Sequence, residues 1–332
     1  MTHFPYNLLN KQQIRNQINL LAVSKTPFLF IIDYKAEQGY VIRQEELNDN
    51  FIQFQFEKLH SSNATGNLTS ESLHWDIRAM SLQQYQSKFD FVQQQIHLGN
   101  SFLVNLTQPT EVKCNLTLLE LYAKSKAKYK LWLKDKLLVL SPETFVRIEG
   151  RTISSYPMKG TIDATIPDAA EIILNDPKEM AEHATIVDLI RNDLSLVAEE
   201  VEVKRYRYIE RINTNKLDLL QVSSEISGIL PEHFYNRLGD ILFALLPAGS
   251  ICGAPKAKTL EIIRDAEGYE RQFYTGICGC FDGENLDSGV MIRFIEQDGE
   301  RLVFKSGGGI TSRSELIKEY EELIQKVYVP VC

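Results

Sequence analysis

The sequence predicts an α+β protein in which paired antiparallel sheets are flanked by helices. Strand-like segments occur in pairs, helical segments alternate with those pairs, and no short repeat runs through the 332 residues. Paired strands alternating with helices are typical of the α+β class. The pattern therefore favours antiparallel strand pairs with helices packed against them.

Local patterns predict the elements in chain order. A polar helix lies near the N-terminus, a polar segment at 61–72 is typical of a surface loop or boundary, and a helix follows at about 81–98. Further helices precede Pro247 and follow Pro255. Strands are predicted at 28–34, 40–43, 51–56, 101–107, 129–132, 137–141, 144–149, 152–156, 201–209, 219–229 and 301–304, with two more within 276–296.

Composition narrows the class of protein. The chain is 44% hydrophobic and 24% charged, as globular proteins are, and its net charge of -8 argues against non-specific binding to nucleic acid or to an anionic membrane. The apolar run at 28–32 is too short to span a bilayer and no signal peptide precedes it, so we expect a cytoplasmic protein. Five cysteines without C-x-x-C spacing disfavour disulfides and structural zinc.

Two glutamates lie on the apolar face of a helix that is predicted to begin at Asp176. Asp176 can cap this helix, and Pro177 suits its first turn. At about 100° per residue, Glu179 and Glu182 fall among the apolar side chains of the helix. Burial of bare carboxylates is costly unless cations compensate, so these two acids require a partner.

A second helix near the C-terminus repeats the Glu-x-x-Glu spacing with Glu319 and Glu322 at one edge of its apolar stripe. Two such pairs can converge on one hard divalent cation such as Mg²⁺, which prefers carboxylate and water oxygens. Alternatively, Glu179 only caps its helix, and the C-terminal acids form a solvated face with ion pairs to Lys318 and Lys326.

Four further positions are candidates for chemistry. The glycine-rich segment 306–310 follows a strand, and its free N–H groups can form a nest for a small carboxylate. Arg293, in an alternating strand, can bind such a carboxylate or can be an exposed strand residue. Lys159, at a strand end, is either solvated or a desolvated nucleophile or base. Glu143, which interrupts two strand segments, is either a general acid with a raised pKa or an exposed turn residue.

Six short motifs occur in a fixed order along the chain. They are Ser141-Pro142-Glu143, Pro157-Met158-Lys159-Gly160-Thr161, Glu182-His183 through Asp188-Leu189-Ile190-Arg191-Asn192-Asp193-Leu194, Gly249-Ser250-Ile251-Cys252-Gly253-Ala254-Pro255-Lys256, Arg271-Gln272-Phe273-Tyr274-Thr275-Gly276 and Gly307-Gly308-Gly309-Ile310. In this order they resemble the motifs of chorismate-utilising enzymes. The resemblance covers about residues 80–328 and is strongest to component I of aminodeoxychorismate synthases, with component I of anthranilate synthases and the isochorismate and salicylate synthases as further relatives.

The resemblance implies a fold and a metal site. The fold is the layered α/β/β/α arrangement of that family, with residues 1–75 as an N-terminal region integrated into the fold and 76–332 as the chorismate-binding catalytic domain. Glu182 and Glu322 are implied to bind Mg²⁺ directly, and Glu179 and Glu319 through waters. The ion is implied to hold the ring carboxylate of chorismate.

The resemblance also implies the residues that contact substrate. Arg293, Tyr274 and the amides of Gly308 and Gly309 are implied to hold the enolpyruvyl carboxylate, and Ser250 to contact the substrate.

Two residues are implied to act in catalysis. Glu143 is implied to protonate the departing C4 hydroxyl. Lys159 distinguishes aminodeoxychorismate synthases from family members that form anthranilate or isochorismate, which usually have alanine at this position. It is implied to add at C2 before ammonia enters at C4, which divides one difficult displacement into two easier ones.

Two positions depart from the family pattern. Phe102-Leu103 stands where relatives commonly have Tyr-Gln, so a polar group that faces the ring in the family is missing and isochorismate formation is disfavoured. Gln221 stands where the family usually has His, so it can replace the hydrogen bonds of that residue but not its acid–base chemistry.

We therefore expect Mg²⁺-dependent amination of chorismate by ammonia to 4-amino-4-deoxychorismate, for para-aminobenzoate and folate biosynthesis. The chain has no Gly-x-Cys-x-Gly nucleophile motif, so a separate glutaminase subunit is expected to supply the ammonia. Component I of anthranilate synthase is the main alternative. A non-catalytic chorismate-binding regulatory subunit is the other, because of Leu103 and Gln221.

Overall fold

The structure is a computed structural model that describes residues 4–57, 60–61, 71–212 and 218–331. In these ranges the chain forms two antiparallel sheets, one of ten strands and one of eight, flanked by helices. The prediction of an α+β fold with paired antiparallel sheets is confirmed. Among the described residues, no helix is both long and apolar enough to cross a membrane.

The helices and strands of the described residues are numbered in chain order. The helices are α1 (Lys11–Val23), α2 (Leu82–His97), α3 (Leu118–Lys124), α4 (Ala169–Asn175), α5 (Pro177–Leu194), α6 (Leu238–Ala244), α7 (Lys256–Glu267) and α8 (Leu316–Gln325). The strands are β1 (Leu9–Asn10), β2 (Phe28–Ile32), β3 (Gln38–Arg43), β4 (Ile52–Gln55), β5 (Trp75–Arg78), β6 (Leu103–Cys114), β7 (Tyr129–Leu133), β8 (Leu137–Ser141), β9 (Thr144–Glu149), β10 (Thr152–Ser155), β11 (Met158–Asp163), β12 (Glu199–Ile212), β13 (Leu219–Ile229), β14 (Gly253–Ala254), β15 (Ile277–Phe281), β16 (Leu286–Val290), β17 (Phe294–Asp298) and β18 (Arg301–Ile310).

The two sheets differ in strand order. The first runs β1-β3-β2-β15-β16-β9-β10-β13-β11, with β12 also paired to β13, and the second runs β14-β6-β18-β17-β8-β7-β4, with β5 paired to β6. Strands β1 to β3 belong to the first sheet and β4 to the second. The N-terminal residues are therefore part of both sheets.

Apolar cores separate the layers. Helices α1, α5 and α6 pack on the first sheet through residues such as Ile18 and Ile186. The space between the sheets is filled by Tyr129, Val139 and Phe294, among others. Helices α2, α3, α7 and α8 cover the outer face of the second sheet. Since each fully buried large apolar side chain contributes roughly 1.5–3 kcal/mol, these cores hold the layers together.

Two of the places where the chain passes from one sheet to the other are neighbours. Strand β8 of the second sheet leads into β9 of the first, and β16 of the first leads into β17 of the second, while β8 pairs with β17 and β9 with β16. The two crossings are hydrogen-bonded to each other: the Val290 N–H donates to the Glu143 carbonyl at 3.1 Å, and the Leu140 N–H donates to the Arg293 carbonyl at 3.2 Å. Glu143 and Arg293 therefore lie on two crossings that are hydrogen-bonded to each other.

The structure corrects several predicted elements. The segment 306–310 is not a loop, because it continues β18 and pairs with β6 from Ile310 to Leu302. Arg293 is not in a strand but in the link between β16 and β17, with a φ of 49°. The strand predicted at 101–107 extends to Cys114. Elements β1, β5, α3, α4, β11 and β14 were not predicted, and three strands, β15 to β17, lie where two were predicted.

Candidate active site

Glu143 lies at the crossing from β8 to β9, with its carboxyl in the interior. The Ser250 hydroxyl, from the short 3-10 turn Gly249–Ile251, donates a hydrogen bond to Glu143 Oε1. Burial raises the pKa of Glu143, while the Ser250 hydrogen bond and the charges of Lys159, Arg293 and Lys326 act in the opposite direction. A carboxyl whose pKa is raised by burial can hold a proton near neutral pH and serve as a general acid.

Lys159 is the second residue of β11 and extends toward the neighbouring sheet. Its Nζ lies 3.6 Å from Glu182 Oε2, and its side chain is 24% exposed. A Cβ atom on Gly309 would lie 2.9 Å from Leu103 Cδ1 and 3.3 Å from Lys159 Nζ. Glycine at this position therefore leaves room for the amine, and the apolar Leu103 lies beside it.

Helix α5 carries the first pair of acids. Asp176 caps the helix as predicted, accepting hydrogen bonds from the N–H groups of Lys178 at 2.8 Å and Glu179 at 2.9 Å. Glu179 faces β11, where a Cβ on Gly160 would lie 2.9 Å from its Oε2 atom. The side chain of Glu182 is 11% exposed. Because the Glu179 carboxylate lies against β11, this residue does not act only as a helix cap.

Helix α8 carries the second pair of acids. Glu319 has a side chain that is only 3% exposed, and Lys178 Nζ lies 3.7 Å from its Oε1 atom and 3.8 Å from Glu182 Oε1. Partial burial lowers the pKa of Lys178, but the charge of all four glutamates outweighs this effect and raises it. The structure thus brings Glu179, Glu182, Glu319 and Glu322 around one region, here termed the carboxylate cluster.

The charges of the carboxylate cluster are incompletely compensated. Burial, together with the charge of a neighbouring glutamate, raises the pKa of Glu179 and of Glu319. Glu182 Oε1 is buried without a hydrogen-bond partner among the described residues. Carboxylate oxygens that repel one another and lack donors fit a hard divalent cation such as Mg²⁺.

In their present positions, the side chains of the carboxylate cluster do not form a metal site. Within the part of the chain that the structure describes, no three acidic, histidine or cysteine side chains are grouped closely enough to hold a metal ion as they stand. Lys178 lies between the two helices, in contact with Glu182 and Glu319. The donor set fits the ion in its chemistry, and side-chain rotation would have to complete the site.

The glycines of β18 form one wall of the site as a strand. The Asn105 N–H donates to the Cys252 carbonyl and the Thr107 N–H to Glu267 Oε1, so both point away from β18. In antiparallel pairing the opposite residues, Gly309 and Gly307, then point away from β6 as well. The Gly308 amide is directed toward β6, so the predicted nest of consecutive free amides is not present.

The other candidate substrate contacts are Arg293, Tyr274 and Gln221. Arg293 stacks on the Tyr328 ring, with its guanidinium carbon 4.9 Å from the ring centroid. Tyr274 is buried, with its ring centroid 5.8 Å from that of Phe294, and burial raises its pKa. Gln221 is 9% exposed in β13, and no hydrogen bond of its side chain to another candidate is found among the described residues.

Lys326 is a member of the site that the sequence indicated only as an ion-pair partner. Its Nζ lies 2.5 Å from Glu322 Oε1 and donates to the Gly307 carbonyl at 3.1 Å. Burial, with the charges of Lys159 and Arg293 nearby, lowers the pKa of Lys326 despite the opposing effect of Glu322. The available signal was its position four residues after Glu322, beyond the end of α8.

An open cavity of about 210 Å³ adjoins the carboxylate cluster. Its lining includes Glu182 and Lys178 from α5, Leu103 from the start of β6, and Arg313 from the segment before α8. The cavity gives small molecules access to the acids from solvent, past a wall that contains two cationic side chains.

The chain matches a protein-family model over almost its whole length. Residues 5–331 match the model described as chorismate binding enzyme. The chain belongs to the chorismate binding enzyme family. The resemblance seen in the six sequence motifs is therefore confirmed.

Three related proteins of the chorismate binding enzyme family have different names. An uncharacterized PabA-like protein of Haemophilus influenzae is 48% identical over 320 residues, covering 96% of this chain and 97% of the relative. Aminodeoxychorismate synthase component 1 of Escherichia coli is 30% identical over 324 residues, covering 92% of this chain and 69% of the relative. Anthranilate synthase component 1 of Archaeoglobus fulgidus is 31% identical over 263 residues, covering 76% and 62%.

Solved structures of the family share the fold. Anthranilate synthase component I from Streptococcus pneumoniae superposes with a TM-score of 0.72 at 20% identity, covering 90% of this chain and 79% of that chain. The isochorismate synthase MenF of Escherichia coli gives 0.73 at 16% identity, covering 95% and 80%. At these identities the likeness concerns the fold alone.

Proposed function

We propose that this protein is component I of an aminodeoxychorismate synthase, which aminates chorismate with ammonia in a Mg²⁺-dependent reaction. The observation that carries the proposal is the position of Lys159. Its amine lies beside the open face of Gly309, and burial raises the pKa of the Glu143 carboxyl of the same site. A nucleophilic amine and a protonated carboxyl at one site are what displacement of a hydroxyl group requires.

The proposed reaction has two displacement steps. The neutral Lys159 amine forms a bond to C2, both conjugated ring double bonds shift by one position, and the C4 hydroxyl departs as water with the proton of Glu143. Ammonia then forms a bond to C4, both double bonds shift back, and the C2–N bond breaks to release Lys159 as a neutral amine. Glu143 regains its proton from the product ammonium. The net change is replacement of hydroxyl by amino with release of one water.

The remaining residues have binding roles in this proposal. Glu182 and Glu322 would hold Mg²⁺ directly, with Glu179 and Glu319 through waters, and the ion would supply positive charge for the ring carboxylate. Arg293, Lys326 and the Gly309 amide would bind the enolpyruvyl carboxylate. Tyr274, Ser250 and Gln221 would line the ring pocket. The Gly308 amide, which the strand pairing directs toward β6, is left out of this set.

Product analysis tests the proposal directly. The protein is incubated with chorismate, MgCl₂ and an ammonium salt, and the products are identified by liquid chromatography with mass detection. We expect 4-amino-4-deoxychorismate, and addition of glutamine with a separate glutaminase subunit should replace the ammonium salt. Accumulation of anthranilate would instead support component I of anthranilate synthase, which the 31% identical relative favours. Chorismate binding without turnover would support a regulatory subunit.

The variant Lys159→Ala separates a nucleophilic role from a structural one. We expect amination to fall at least about 100-fold, because the first displacement loses its nucleophile. Melting temperature and chorismate binding should stay close to those of the parent protein. Lys113→Ala, an exposed lysine of β6, is the matched control and should keep full activity. Equal amination by Lys159→Ala would remove the proposed role.

A further inference from the structure

Behind the site, Arg271 and Glu267 form an ion pair that is almost completely buried. Each side chain is 1–2% exposed. Arg271 Nε donates to Glu267 Oε2 at 2.8 Å, and Nη2 donates to Glu267 Oε1 at 2.5 Å. The Tyr34 ring stacks on the guanidinium with its centroid 4.6 Å away. This is a bidentate pair covered by an aromatic face.

The remaining donors of Arg271 join three separate parts of the site. Nη1 donates to the Ile251 carbonyl at 3.1 Å and to Thr275 Oγ1 at 3.3 Å, and Nη2 donates to the Asn105 carbonyl at 2.8 Å. All five guanidinium N–H groups therefore have acceptors. The acceptors belong to the turn that carries Ser250, the loop that carries Tyr274, and β6 opposite Gly309.

Glu267 is held in the same way from its other side. Its Oε1 atom accepts hydrogen bonds from the Thr107 N–H and the Thr107 hydroxyl, both at 2.8 Å, and the Tyr269 hydroxyl lies 2.5 Å from Thr107 Oγ1. The pair is thus saturated with partners. Lysine, with three donors on a tetrahedral nitrogen, cannot reproduce the planar array of five.

We propose that Arg271 is a positioning residue of the active site, which fixes the turn Gly249–Ile251 so that the Ser250 hydroxyl stays hydrogen-bonded to Glu143. The inference deepens the proposed function and rests on it, since Glu143 is the acid of the proposed reaction. The bond to the Ile251 carbonyl is the direct link, one residue after Ser250. Arg271 itself does not have to touch substrate for this role.

A positioning role of Arg271 would change the pH profile of activity, which a loss of stability alone would not do. Glu143 must be protonated to act as an acid, so activity falls as pH rises through its pKa. The Ser250 hydrogen bond favours the ionised form, as do the nearby charges of Lys159, Arg293 and Lys326. A displaced Ser250 would leave those charges in place and remove only the hydrogen bond. The descending limb of the pH profile would then move to higher pH.

The experiment compares Arg271→Lys with Ser250→Ala, the double variant and a control. For each protein, kcat, KM and the pH dependence of kcat are measured with chorismate and ammonium, and the melting temperature is recorded. Arg147→Lys is the matched control, because Arg147 pairs with the buried Asp287 at 3.2 Å and has no described contact with the Ser250 turn. It should lose stability but keep the parent pH profile.

The expected outcome is specific to positioning. Arg271→Lys should lower kcat at least about tenfold with KM within about threefold, and should move the descending limb upward in the same direction as Ser250→Ala. The double variant should be no worse than the more impaired single variant, because both changes act on one hydrogen bond. Additive losses, or a lower melting temperature with an unmoved limb, would overturn the inference.

The two proposals fail in distinguishable ways. If the parent protein forms no aminated product, the proposed function is rejected, and the protonation of Glu143 is then followed in the same variants by NMR of ¹³C-labelled glutamate carboxyls. A raised pKa of Glu143 in Arg271→Lys, absent in Arg147→Lys, would still support positioning. If the parent protein aminates chorismate but Arg271→Lys behaves as the control does, only the positioning role is rejected.

Discussion

The carboxylate cluster and the Arg271–Glu267 pair are two ways of burying charge in one protein. In the pair, each donor of Arg271 has an acceptor and the opposite charges are in direct contact. In the carboxylate cluster, like charges face one another, and the contacts of Lys159 and Lys178 with the glutamates are at 3.6–3.8 Å. Only Glu322 has a close lysine, Lys326, and Glu182 Oε1 lacks a hydrogen-bond partner among the described residues.

The difference in charge compensation predicts that the pair contributes mainly to stability and the cluster mainly to binding. A saturated buried pair has nothing left to offer a ligand, and removing one partner exposes the full cost of the other buried charge. An unsaturated cluster costs free energy in the absence of a ligand and gains free energy when a cation binds. Substitutions in the two regions should therefore affect different measurements, and two predictions test this.

The largest effect on stability is expected for Glu267→Gln. The change leaves the Arg271 guanidinium buried without its counter-charge, which typically costs about 3–5 kcal/mol of unfolding free energy. Urea unfolding followed by circular dichroism measures this loss. Asp298→Asn, which breaks the exposed pair with Arg301, should cost under about 1 kcal/mol. Equal losses in the two variants would show that the buried pair stabilises the fold no more than an exposed pair does.

A smaller effect on free energy, but a large one on function, is expected for Glu182→Gln. The affinity for Mg²⁺ should fall at least about 100-fold, since loss of a direct ligand should match or exceed loss of an outer partner. Unfolding free energy should change by no more than about 1 kcal/mol, because lost attraction to lysine is offset by relief of repulsion. Calorimetric titration with MgCl₂ and the Mg²⁺ dependence of turnover measure the effect.

The control for Glu182→Gln is Glu171→Gln, on the exposed side of α4, which should bind Mg²⁺ as the parent protein does. A Glu182→Gln variant with parent affinity for Mg²⁺ would show that the cluster does not bind the ion through this residue. Strong destabilisation of Glu182→Gln would instead show that the cluster stabilises the fold as the Arg271–Glu267 pair is expected to do.

A third prediction, outside both regions, is a pH dependence of stability at the inner side of α5. His183 is fully buried and hydrogen-bonded to Ser224 Oγ at 2.7 Å, and burial, with Arg207 and Lys159 nearby, lowers its pKa to about 4. The folded state thus binds fewer protons than the unfolded state between about pH 6.5 and 4. Stability from this residue is present above pH 6.5 and is lost toward pH 4, by up to about 1.4 kcal/mol per pH unit.

Urea unfolding of the parent protein and His183→Gln at pH 7, 6 and 5, in metal-free buffer, measures this dependence. The difference between the two proteins should shrink as pH falls, because glutamine has no proton to take up. A difference that is constant across these pH values would contradict the lowered pKa of His183.

Sequence patterns were most informative where a local signal and a buried face coincide. Helix α5 shows this, since its cap at Asp176 and the inward direction of Glu182 follow from spacing alone. Glu143 shows the opposite case. Its position between two strands was predicted, but the choice between an exposed turn and a buried acid depended on the crossing of two sheets, which local residues do not encode.

The glycines of β18 show why a local pattern can mislead. Consecutive glycines disfavour a strand by propensity, so the predicted strand ends at residue 304 and the glycines after it were expected to have free N–H groups. Pairing with β6 overrides that propensity, and the absence of side chains is what permits it: a Cβ on Gly307 would lie 2.4 Å from the Leu106 carbonyl oxygen. The residues that were predicted to form an anion nest therefore line the site as a strand.

The family, the α+β class and the two acidic helices can be read from residue types at fixed local spacing. The position of Lys326 in the site, that of Arg293 at a crossing between sheets, and the contact of Arg271 with Asn105, 166 residues away in the chain, depend on the fold. Such contacts depend on which strands pair and where the chain changes sheets. The free energy that fixes those choices comes from burial spread over the whole core, and no short stretch of residues carries it.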